Sequence, residues 1–234
     1  MPQTSDSFSG LVVNAWGRCR QNLRINLIAG LVIWLVGVSV CYAYWNIEEA
    51  KSFFFRIAEA KKEYGYLYSA CATAVFGGVI PFLFLLCTAQ IERTRILKTF
   101  FFFLFFWAYK GVEVDAFYRL QTLLVGGQSS FWTVFTKVVI DQFVYCIIWS
   151  APLTAIFYGW KDAHFSWKQV EVLKKKERMI GECFFLLIST WIIWTPAVSI
   201  VYSMPSDLQI PLFNLTLCFF VLVITVSNAR RVAG

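Results

Sequence analysis

The sequence predicts an all-α protein: a polytopic transmembrane helical bundle of about six spans, with interfacial amphipathic helices. Three observations predict it. The 234 residues are 59% hydrophobic and 19% aromatic, with a mean hydropathy of +0.62, too apolar for a water-soluble domain of ordinary make-up. The apolar residues form continuous runs near the roughly 20 residues a helix needs to cross a bilayer, without the alternation of a membrane barrel. A backbone in lipid must satisfy its own hydrogen bonds, so such runs fold as helices. Finally, if the N-terminus, the 89–98 and 160–182 links and the C-terminus share one side, that side carries 14 Lys or Arg against 5 on the other, the bias that orients membrane helices.

The spans fall at about 25–45, 64–88, 97–126, 131–159, 181–203 and 210–227, within a single integral membrane domain over residues 1–234. Arg18, Arg20 and Arg24 precede the first run, which lacks a small-residue cleavage pattern and so reads as a retained helix. Residues 46–63 mix four acids and four bases around Phe53-Phe54-Phe55, the pattern of a short interfacial helix. The second span carries Gly77-Gly78, which lets helices approach closely, and Pro81. In the third, the 11 apolar residues Thr99 to Tyr109 are too few to cross, so the helix must continue through Lys110, Glu113, Asp115 and Arg119. Spacing supports this: Lys110 with Glu113 and Asp115 with Arg119 stand at i,i+3 and i,i+4.

The fourth span sets Lys137, Asp141 and Gln142 inside an apolar run, where each charge costs roughly 2.5 to 3.5 kcal/mol on insertion scales. Lys137 and Asp141, four apart, are expected to pair. Pro81, Pro152 and Pro196 lie inside the second, fourth and fifth spans and are expected to kink them. Between the last two, residues 165–180 read as a basic interfacial helix, with Phe165, Val172, Leu173, Met179 and Ile180 on one face and Lys168, Lys174, Lys175 and Arg178 around the rest. Its expected partner is anionic lipid.

Little here points to catalysis. His164, the only histidine, sits at a predicted membrane boundary, and the seven cysteines show no CxxC spacing for zinc or redox chemistry. Gly126 to Ser130 lacks a phosphate-loop pattern, and Glu113 and Asp115 point to opposite sides of a helix. The sequence therefore predicts no enzyme, cofactor, metal site or nucleic-acid partner.

Lys137-x3-Asp141-Gln142, followed by Trp191-x2-Trp194-x-Pro196 and Tyr202, resembles the Mpv-seventeen and 22-kilodalton peroxisomal membrane protein family, over roughly residues 64–227. Ile147 stands where that family has a proline, Thr195 splits its Trp-Pro, and Val198 and Val201 replace polar residues, marking a divergent member. The resemblance implies a small multi-span protein that passes small solutes, with Trp191, Trp194, Pro196 and Tyr202 as packing residues. It sets the location as a bacterial cytoplasmic membrane or, in a eukaryote, the mitochondrial inner or peroxisomal membrane.

The functional expectation is a pore or channel component for small hydrophilic solutes, in which Lys110, Glu113, Asp115, Arg119, Lys137, Asp141 and Gln142 line or brace a polar path. The alternative is a non-conducting scaffold that organises lipid or assembly partners. The expected partners are the bilayer, anionic lipid, small solutes and further copies of the chain.

Overall fold

The computed structural model describes residue 31 and residues 34–232, apart from the side chains of 171, 172, 189, 219 and 221–232. Arg18, Arg20, Arg24 and the start of the first expected span lie outside the described residues. Residues 34–46 are helical (α1) and are followed by α2 (Glu48–Tyr64) and α3 (Tyr66–Thr73). A wide-turned π-helical segment, Ala74–Val79, leads into α4 (Ile80–Cys87), then α5 (Ile96–Val125) and α6 (Phe131–Val139). A second π-helical segment, Ile140–Ser150, leads into α7 (Ala151–Asp162), the single turn α8 (Glu171–Lys174), α9 (Lys176–Tyr202) and α10 (Ser206–Val232). No strand occurs among the described residues.

Tyr66–Cys87 and Phe131–Asp162 are long and apolar enough to cross a membrane, and Lys176–Tyr202 makes a third if its two bent halves count as one crossing. Among the described residues, length and apolarity thus account for two to three of the six crossings expected. The third expected segment is one unbroken helix of 30 residues, with Lys110, Glu113, Asp115 and Arg119 all within it.

Both π-helical segments end at a proline. Pro81 and Pro152 occupy the first turns of α4 and α7. A proline removes one backbone donor and crowds the carbonyl four residues earlier, and a widened turn before it relieves that clash without ending the helix. The kinks expected at these prolines are therefore spread over 6 and 11 residues of wide helix.

The 165–180 stretch does not form the single helix expected. His164 and Phe165 take left-handed backbone conformations that end α7, a 3-10 turn covers Trp167–Gln169, and Lys175 is extended between α8 and α9. Apolar anchoring explains the break. Trp167 stacks on Trp160 at 5.0 Å and Val170 is fully buried, so the segment folds back on its own neighbours instead of presenting one apolar face.

The helices group into two compact units, 1–28 with 139–195, and 29–138 with 196–234. The first has a small core of Cys146, Ala151 and Leu187, flanked by Tyr145, Cys183, Leu186 and Trp191. The second is built on α5. Phe102 and Phe106 stack at 5.5 Å, and Tyr118 meets Tyr202 at 4.9 Å and Phe213 at 6.3 Å.

Against α5 the α3–α4 helix runs antiparallel and touches it at two glycines. A Cβ on Gly111 would lie 2.2 Å from the Ser69 carbonyl oxygen, and one on Gly78 would lie 2.8 Å from the Phe103 carbonyl oxygen. Ten residues from 69 to 78 face nine from 103 to 111, and the wide turn at Ala74–Val79 takes up the extra one. Such contact through small residues is how helices associate where lipid supplies no hydrophobic driving force. Gly111→Ala is expected to destabilise the folded protein by about 1 to 3 kcal/mol, the range for overpacking, whereas Gly127→Ala, facing only the Thr122 methyl at 3.5 Å, is expected to be neutral. Thermal unfolding in detergent checks the pair; equal melting would show that the contact at Gly111 does not hold.

Candidate functional site

Asp115, buried on α5, gathers donors from three helices. Its Oδ2 accepts from Lys61 Nζ at 2.6 Å and from Ser69 Oγ at 2.7 Å, and its Oδ1 from Arg119 Nε at 3.0 Å. These donors come from α2, α3 and α5, so one carboxylate joins three helices. The Arg119 guanidinium lies 4.6 Å from the Tyr66 ring centroid and is half exposed, while Lys61 and Asp115 are buried. Burial holds the Lys61 ammonium below the ordinary lysine pKa, and the Asp115 carboxylate offsets part of that. Gly65 sets the angle that brings Lys61 and Ser69 to the same atom, with φ 53° and ψ −123°, a conformation that only glycine adopts readily.

One turn earlier on α5, Lys110 Nζ lies 2.6 Å from Glu113 Oε1, both side chains buried. Thr73 Oγ1 donates to Asn214 Oδ1 at 2.7 Å between α3 and α10, and Asn214 Nδ2 is buried with no hydrogen-bond partner.

Lys137 differs from these. It is 1% exposed, and its ammonium meets the Thr122 hydroxyl at 3.2 Å and faces the Tyr202 ring at 5.8 Å. Beside it, Gln121 Nε2 donates to the Lys137 carbonyl at 3.0 Å, while Gln121 Oε1 is buried without a partner. The pairing expected between Lys137 and Asp141 is replaced by contacts that each residue makes within its own unit. The cause is direction: helical side chains lean toward the N-terminus, so Lys137 reaches back to α5, and a base preceding an acid by four is the weaker order for pairing.

In the other unit, Asp141 Oδ1 accepts from Gln142 Nε2 at 2.8 Å and from the Cys146 thiol at 3.6 Å. Asp141 and Cys146 are five apart and share a face because the helix there is π-wound. Trp191 Nε1 donates to the Gln142 carbonyl at 3.0 Å, and Thr195 Oγ1 to Gln142 Oε1 at 3.4 Å. Trp191 also packs on Phe143 at 5.1 Å. Trp194 and Pro196 are half-buried on α9.

The residues predicted from sequence thus fall into separate groups rather than along one line: Asp115 with Arg119, Lys110 with Glu113, Lys137 with Tyr202, and Asp141 with Gln142 and Trp191. Lys61, Ser69, Thr73, Gln121, Thr122 and Asn214 were not foreseen. Lys61 carried a readable signal, since with Phe54, Ile57 and Ala58 it shares the less exposed face of α2.

Among the described residues no group of His, Cys, Asp and Glu is arranged to hold a metal, and six cysteines are free thiols. Fold and site together define an all-helical chain, with apolar helices compatible with integral membrane insertion and an interior organised by buried charge. No known family model, curated protein or solved structure matches it.

Two outcomes follow from these contacts. Asp115→Ala is expected to cost about 3 to 5 kcal/mol, because it strands Lys61; Arg119→Gln, at the half-exposed end, should cost under about 1 kcal/mol, and Lys137→Met should be neutral or stabilising. Denaturation in mixed micelles ranks the three, and equal losses for Asp115→Ala and Arg119→Gln would remove Asp115 as the organising group. For pH, a Lys61 pKa held low in the fold means the folded state binds fewer protons than the unfolded chain between that pKa and the ordinary 10.5. The Lys61 contribution therefore rises with pH across this window and is lost as pH falls through the folded value. Wild type should gain stability relative to Lys61→Met as pH climbs toward 10.5, and a constant difference would contradict it.

Proposed function

We propose that the protein is a six-span integral membrane protein, both ends on one side, that passes small hydrophilic solutes. One observation carries the reading. Lys137, almost wholly buried, has a hydroxyl and an aromatic ring for its ammonium and no carboxylate among the described residues, and Gln121, which donates to the Lys137 carbonyl, keeps an unpartnered acceptor at Oε1. Buried charge within apolar helices usually faces a water-filled cavity or marks a substrate or ion path. By contrast, Lys61–Asp115 and Lys110–Glu113 each set an ammonium 2.6 Å from a carboxylate oxygen and act as braces. The likeness of Lys137, Asp141 and Gln142 to the motif of a solute-passing membrane family points the same way.

A scaffold that binds anionic lipid is the second reading, favoured by the exposed run of Lys168, Lys174, Lys175, Lys176 and Arg178 beside exposed Trp167 and Leu173.

Planar-bilayer recording and vesicle swelling of the purified chain test the first reading. Wild type is expected to conduct and to admit small sugars, and Lys137→Glu to shift ion preference toward cations. Folded protein that neither conducts nor admits sugars, yet loses vesicle binding when Lys174, Lys175 and Lys176 are changed together, would leave the scaffold standing in its place.

A further inference from the structure

Resting on the passage reading, we infer that the groups around Lys137 form a binding site for a small anion that also carries a hydroxyl hydrogen, the class of hydrogen phosphate, bicarbonate and 2-hydroxy carboxylates. Lys61, Lys110 and Lys137 are the buried lysines among the described residues, and the first two each touch a carboxylate at 2.6 Å. Lys137 has the lowest exposure of the three, and its ammonium has three N–H donors to place. The Thr122 hydroxyl takes one at 3.2 Å, and the Tyr202 face at 5.8 Å supplies only a weak cation–π contact. A desolvated cation in this setting needs a counter-charge, and one that enters from solution supplies it.

The second requirement comes from Gln121. Its Nε2 is committed to the Lys137 carbonyl, which fixes the amide orientation and leaves Oε1 as a buried acceptor with no donor. The three residues, all in one unit, thus offer a cationic donor at Lys137, a hydroxyl at Thr122 that donates or accepts, and, on the neighbouring residue of α5, an acceptor at Gln121. Chloride satisfies the charge but not Gln121. Glycerol offers hydroxyls but no charge, and small cations are repelled by Lys137. Acetate lacks the donor, and leaving Gln121 unpaired predicts binding roughly 5- to 150-fold weaker than that of a hydroxylated analogue. Tyr202, tilted against Tyr118 with ring centroids 4.9 Å apart, sets a held ring beside the ammonium.

The test uses the full chain in phosphatidylcholine nanodiscs, titrated separately with inorganic phosphate, lactate, acetate, chloride and glycerol while thermal unfolding is followed. Phosphate and lactate are expected to raise the melting temperature at concentrations at least about fivefold below those acetate requires. Lys137→Met should abolish the response, Lys137→Arg should keep it, and Gln121→Leu should make lactate and acetate equal. If Lys137→Met does not fold, the Arg and Leu variants carry the comparison. Equal responses to lactate and acetate in wild type, or a response that survives Lys137→Met, would overturn the site, as would a shift caused only by phosphatidic acid in the disc. Vesicle flux separates the two readings. Lactate that binds but never crosses removes the passage and keeps the site; sugars that cross in a protein indifferent to phosphate and lactate keep the passage and remove the site.

Discussion

A carboxylate placed among apolar helices must find cations or lose its charge, and Asp115 finds two, together with a serine hydroxyl, on three different helices. Everything nearby answers to that demand. Gly65 turns the chain so that Lys61 and Ser69 converge on Oδ2, Gly111 lets α3 come close enough for Ser69 to reach, and α2 is held against the rest by a base on its less exposed face. The arrangement gives specificity as much as energy: few other ways of stacking these helices would place a base, a hydroxyl and a guanidinium around one carboxylate. Lys110–Glu113, one turn away, repeats the logic within a single helix.

The wide-turned segments before Pro81 and Pro152 have the same origin in local chemistry and different results. The shorter one lets ten residues lie along nine of α5 and so keeps both glycine contacts in step. The longer one brings Asp141 into line with Cys146 and presents the Gln142 carbonyl to the Trp191 indole. In both, a proline that would break a soluble helix is absorbed, since the apolar flanks keep the chain helical on either side.

Much of this was legible in the sequence, for reasons that can be assigned residue by residue. Helix positions followed from apolar runs, and the i,i+3 and i,i+4 charges of α5 reported both a continuous helix and its ion pairs. The partners from other helices were not legible. Ser69 and Thr73 look like ordinary polar residues in an apolar run, and nothing in the spacing says that Asp115 will draw on α2 or that Lys137 will lean back to Thr122. The Lys137–Asp141 expectation failed because spacing counts residues and ignores which way a side chain leans. The single basic helix over 165–180 failed because Trp167 stacked on Trp160 and Val170 became buried, which an amphipathic pattern cannot foresee. Long-range hydrogen bonds such as Thr73 to Asn214 depend on tertiary approach, and one sequence read alone does not encode it in any local period.

The paired glycines have a consequence for motion. With backbone oxygens seated at both Gly78 and Gly111, α5 cannot travel along its axis against α3 and α4 by a single residue without driving a side chain into a carbonyl at each end. Piston-like displacement is thereby closed to this helix pair. Whatever rearrangement the unit undergoes has to be rotational, taken up at Gly65 or along the wide turn at Ala74–Val79, so the helices behave as levers on fixed pivots rather than as sliding rods.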